Sequence, residues 1–174
     1  MRTAGKGALL ALILLLASCG DEAADRLSHD EAAAYAVLAE ELHRRIGSDP
    51  QELSFGLCVR VSLPDGGKVR DMVGLMDMLQ RDMPSGVDAT LVPVEDCKRF
   101  SDFGPYRVPS GARATLFFAS AESNHDGADS ALPAGEQLWS AGINCGPLCG
   151  NGRTYRVRFE GGHPVLTLAG EWVN

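Results

Sequence analysis

The hydrophobic period of this chain changes along its length, and that change restricts the fold more than any other feature. From Ser28 the pattern is helical: Ala34, Leu38, Leu42 and Ile46 recur every four residues, with Tyr35 beside them. Ser28 and Glu31 have capping-box spacing, and Gly47 suits the C-terminal stop. Between Leu53 and Leu63 the period drops to two. Leu53, Phe55, Leu57, Val59, Val61 and Leu63 share one face and polar or small residues the other, which predicts a strand with one buried side. Pro64-Asp65-Gly66-Gly67 reads as a turn. Asp71 then caps a second helix carrying Met72, Leu75, Met76, Leu79 and Met83, a methionine-rich stripe whose spacing points to core packing.

Beyond residue 88 the helical signal stops. Ala89–Val94 predicts a short edge strand because Pro93 lacks a ladder donor, and 98–111 an aromatic-bearing loop. Further strands are expected over Ala112–Ala121, Glu136–Asn144, Arg153–Glu160 and Pro164–Ala169, with a polar loop over 122–135 and a Gly161-Gly162 hairpin turn. Helices early and strands late predict an α+β domain over 27–174, with two helices on one face of a mostly antiparallel sheet. Cystatin-like and cone-shaped NTF2-like folds share this outline, an analogy of fold that carries no function.

The N-terminus obeys different rules. Arg2 and Lys6 precede the unbroken apolar run Ala8–Leu16. As a helix that run rises only ~14 Å, too little to span a hydrocarbon core of ~30 Å, so residues 1–18 read as an export signal. Leu16-Ala17-Ser18-Cys19 resembles the lipobox of bacterial lipoprotein precursors. The resemblance implies a diacylglyceryl group on the Cys19 sulfur, cleavage between Ser18 and Cys19, and acylation of the new amino group. Membrane attachment would then run through lipid on Cys19, since two or three acyl chains anchor stably where one does not. Gly20 follows the cysteine and Asp21 comes one place later, so the lipoprotein sorting rule implies an outer-membrane address facing the periplasm. Residues 19–26 form a short polar tether of at most ~3.5 Å per residue, which keeps the domain within ~25 Å of the bilayer.

Charge narrows the partners. The net charge of −7 becomes −9 once Arg2 and Lys6 leave with the signal. An acidic domain is a poor partner for nucleic acid and for electrostatic adhesion to anionic lipid. Four cysteines remain after lipidation: Cys58, Cys97, Cys145 and Cys149. An even number in an exported domain predicts two disulfides. Of the three pairings, Cys145–Cys149 with Cys58–Cys97 is preferred because the first pair is already close in sequence.

The segment Cys145-Gly-Pro-Leu-Cys149-Gly-Asn-Gly152, with Tyr155 on the following strand and Gly161-Gly162 in the hairpin, resembles the C-terminus of small uncharacterised bacterial lipoproteins. Their lysine-and-tryptophan return strand is replaced here by His163-Pro164-Val165-Leu166. The resemblance covers about the last thirty residues and implies a fold and an export route, but no activity. Read chemically, Cys145 and Cys149 could serve a thiol–disulfide enzyme, or a metal site with His163. Glycines and a strand follow them where a redox pair has a helix N-terminus, and zinc would lack a fourth ligand. Ser123, His125 and Asp126 share one glycine-bearing loop, whereas hydrolase triads are assembled by the fold from separated segments. His29 and His43 lie too far apart on the first helix to share a metal. Glu95 and Asp96, as neighbours on a strand, would point to opposite faces. The expectation is a non-enzymatic, lipid-anchored envelope protein that binds a ligand or another envelope protein, with no catalytic residues, metal or cofactor assigned.

Overall fold

The computed structural model describes residues 27–48, 56–84, 87, 89–99, 106–122, 132–146 and 149–173. The first helix, α1 (His29–Ser48), begins at the expected box. The Ser28 N–H donates to Glu31 Oε2 at 2.8 Å and the Glu31 N–H to Ser28 Oγ at 3.3 Å. Strand β1 (Gly56–Ser62) leads through a 3-10 turn, Pro64–Gly66, to α2 (Met72–Arg81). Asp71 caps α2 by accepting from the Gly74 N–H at 2.8 Å. Then follow β2 (Leu91–Pro93), β3 (Lys98–Arg99), β4 (Tyr106–Arg107), β5 (Arg113–Glu122), β6 (Gln137–Gly146), β7 (Cys149–Glu160) and β8 (His163–Val173).

The result is α+β: two helices packed against one mostly antiparallel, mixed sheet of eight strands. The main path runs β2-β1-β5-β6-β7-β8, while β4 joins β3 to β5. Strands β5 to β8 form an antiparallel meander. Strand β1 is parallel to both β2 and β5. Parallel neighbours need a crossover, and α2 supplies it between β1 and β2. Pro93 ends β2 at the sheet edge, as its missing donor requires. Gly161 and Gly162, at φ 59° and 89°, make the two-residue turn between β7 and β8.

One core lies between helices and sheet. Val37, Leu38 and Leu42 of α1 and Leu75, Met76 and Leu79 of α2 meet Leu57, Val59, Phe117, Trp139 and Val157 of the sheet. Ala119 and Ala141 stand beneath α1 with no exposed surface, small enough to let the helix approach. The methionine stripe is core, as its spacing indicated. Among the described residues no helix is long and apolar enough to cross a membrane.

Several expectations need correction. Strand β1 is buried on both sides over Gly56–Val59, because Cys58 joins a second small core with Val108 and Ala114 on the sheet face away from the helices. A methyl group at Gly56 would collide with Val108. The segment 98–111 is not wholly loop: β3 and β4 form a short ladder within it. The strand expected from Arg153 starts earlier, at Cys149, and takes in Gly150-Asn151-Gly152. Glu95 and Asp96 lie on a 3-10 turn, Val94–Asp96, and both are exposed.

Candidate functional site

The first turn of α1, the chain entering α2 and α2 itself line a cleft of ≈ 300 Å³. Its apolar floor is Leu27, Leu75 and Met78, and its charged rim is Arg70, Asp71, Asp77 and Arg81. One buried carboxylate holds the two walls together. Glu31 is 2% exposed. It accepts from the Arg70 N–H at 2.7 Å, from the Arg70 guanidinium at 3.2 Å, and from the Ser28 N–H. Burial pushes this carboxyl up, but the bonds from Arg70 and Ser28 outweigh it and hold its pKa at about 2. The capping box therefore does more than start a helix: it fixes the backbone that enters α2. The cleft offers apolar contact inside a charged lip, which suits a small apolar or amphipathic group.

At the other end of α1, Glu41 is wholly buried among polar partners. Arg45 donates to it at 3.1 Å, Arg44 pairs with it at 2.5 Å, and the Tyr155 hydroxyl donates to it at 3.2 Å. Arg45 also donates to the Asn151 carbonyl at 2.8 Å. Burial and the neighbouring Glu41 charge push Tyr155 up to about 12. This node ties α1 to β7 and leaves the buried charges paired, which is the condition for tolerating them. Both carboxylates occupy positions of the apolar face, Glu31 three residues ahead of Ala34 and Glu41 four after Val37. A reading by hydrophobic periodicity passes over them because it scores only apolar side chains, although Val37, Glu41 and Arg45 recur every four residues.

The cysteines are bridged as Cys58–Cys97 and Cys145–Cys149. The first joins central β1 to the chain just after edge strand β2, with Cα atoms 6.2 Å apart. The second sits at the turn end of the β6–β7 hairpin, where Gly146 pairs with Cys149, with strand on both sides and Cys149 exposed. The remaining candidates are scattered. His29 stacks on Phe159, His43 bonds the Asp82 carbonyl at 2.9 Å, and His163 is exposed at the start of β8. Among the described residues no group of three or more His, Cys, Asp or Glu is placed to hold a metal. Ser18, Cys19, Ser123, His125 and Asp126 lie outside the described residues.

No family model matches the chain, and no curated protein or solved structure matches it either.

Proposed function

We propose that this chain is the precursor of a bacterial envelope lipoprotein, anchored through lipid on Cys19, whose single domain has a non-enzymatic binding or assembly role. The observation that carries the reading is the Leu16-Ala17-Ser18-Cys19 sequence at the end of an apolar run. Two disulfides support it, because such bridges persist in oxidising compartments such as the periplasm. The place of the α1–α2 cleft also supports it. Leu27, where the tether would arrive, is part of the cleft floor, so a ligand held there would sit on the membrane-proximal side of the domain. The cleft is the binding surface we assign to this role.

The test is metabolic labelling with a palmitate analogue in a bacterial host. Wild-type chain is expected to take up label and to be shortened, and Cys19→Ala to do neither. Equal labelling of the two proteins overturns the lipoprotein reading.

A further inference from the structure

The two edges of the main sheet path are built differently. Strand β2 has 3 residues, ends in Pro93 and runs into the turn before the Cys58–Cys97 staple. Short length and proline blunt an edge against further pairing. Strand β8 has 11 residues and, among the described residues, pairs only with β7. From His163 to Gly170 it carries no Asp, Glu, Lys or Arg, the charges that commonly guard such an edge. Thr167, Leu168 and Ala169 are exposed, Leu168 at 49%.

The register fixes which groups of β8 look outward. Glu160 and His163 face each other across the two-residue Gly161-Gly162 turn, which makes them a hydrogen-bonded pair. Hydrogen-bonded and non-hydrogen-bonded pairs alternate from there. Pro164, Leu166 and Leu168, opposite Phe159, Val157 and Tyr155, therefore turn their main-chain groups away from β7. Pro164 has no N–H to offer. Beyond Leu168 the register skips Ala169, and a bulge of this kind bends the strand. The open template is thus short and centred on Leu166 and Leu168. The Leu166 side chain packs on the core of the helix-side face, and Leu168 stands half in solvent. Thr167, between them, projects from the opposite face.

This stretch is complementary to itself. Turned antiparallel about a two-fold axis at Thr167, it sets Leu166 against Leu168 of a second copy, and Leu168 against that copy's Leu166. Each of these pairs exchanges both of its N–H···O bonds across the new boundary, and the leucines close over one another on one face. Thr167 meets Thr167 on the other face, a cross-strand pair that contributes its own hydrogen bond. Two acidic chains repel as wholes, but the axis passes through an uncharged stretch and places no like charges opposite one another. We propose that β8 is a homodimer interface, which joins the sheets of two copies edge to edge through Leu166, Thr167 and Leu168. A two-fold contact of this kind closes on itself, so it yields a dimer rather than a filament. The inference does not depend on the lipid anchor.

The full chain in detergent is followed by sedimentation velocity over a range of concentrations. The wild-type protein mass is expected to double as concentration rises. Under mild oxidation Thr167→Cys is expected to crosslink to itself roughly tenfold above wild type, because facing residues at a non-hydrogen-bonded site stand ~4.5 Å apart at Cα, within disulfide reach. Ser62→Cys, exposed on the distant strand β1, should stay at the wild-type level. Thr167→Lys and Thr167→Glu should each weaken self-association roughly tenfold by setting like charges opposite one another. Mixing these two variants should restore the dimer, which shows that neither has failed to fold. A wild type that stays monomeric, with no Thr167→Cys crosslink above background, overturns the proposal. A dimer that Thr167→Lys leaves unchanged also overturns it, because its contact then lies elsewhere.

Discussion

Glu31 shows how one residue can serve two levels of structure. Its carboxylate closes the α1 capping box and receives the backbone and side chain of Arg70, thirty-nine positions away. Its folded pKa of about 2 lies below the ordinary value of 4.5. A depressed carboxyl pKa contributes stability that is complete above the unfolded value and is lost as pH falls through the folded one. The expected loss therefore falls between about pH 4.5 and pH 2, and the full shift corresponds to ~3 kcal/mol. Thermal unfolding followed across that window should show the loss in wild type, and Glu31→Gln should flatten it. A variant as acid-sensitive as wild type would remove Glu31 from this role. The Ser28/Glu31 spacing made the local bond legible in sequence. Nothing there indicated Arg70, because its approach depends on where the turn after β1 sets the chain down.

At the scale of elements, the β6–β7 hairpin decides how Cys145 and Cys149 behave. A catalytic disulfide draws its reactivity from a thiolate stabilised at a helix N-terminus or beside a cation. Here both sulfurs belong to strands, and the nearest arginine along β7, Arg153, pairs with Glu171 of β8 at 2.6 Å. The couple is expected below about −300 mV, as for structural bridges in exported proteins. Titration against glutathione and dithiothreitol, with alkylation at each step, measures it. A potential of about −120 to −180 mV would instead support a periplasmic thiol–disulfide enzyme. The same hairpin shows tight fitting on the opposite sheet face. Gly142 and Gly152 are paired across β6 and β7, and the Trp172 ring lies over both, near enough that a methyl group at either would collide with it. Trp172 also stacks on Phe118, with ring centres 5.8 Å apart.

For the whole molecule, the two disulfides differ in what they constrain. Cys58–Cys97 spans 39 positions and encloses α2 with its crossover, whereas Cys145–Cys149 spans 4. Chain entropy assigns about 4 kcal/mol to the longer loop and about 2 kcal/mol to the shorter ring, both upper-end values. Replacing Cys58 and Cys97 with alanine should therefore lower the unfolding free energy more than replacing Cys145 and Cys149 with serine. Denaturant unfolding of the two double variants tests the order. Reversal would mean that the hairpin staple, not the crossover staple, governs the stability of the domain.

Local pattern alone determined much of this architecture. The capping box, the Asp71 cap, the methionine stripe, the Pro93 edge strand and the Gly161-Gly162 turn all depend on residues within a few positions of one another, whose preferences survive wherever the chain goes. The cysteine pairing was also legible, since one pair was already adjacent along the chain. Tertiary structure decided the rest. The parallel pairing of β1 with β2 and β5, and the burial of β1 on its second face, depend on strands brought in from afar. The charged node around Glu41 needs α1 and β7 to meet across the core. The pairing of Lys98 with Arg107, and of Arg107 with Arg113, needs β3, β4 and β5 in one register, so a net negative composition gave no sign of it. Periodicity records which side of an element prefers burial, but not which distant side chain will stand opposite.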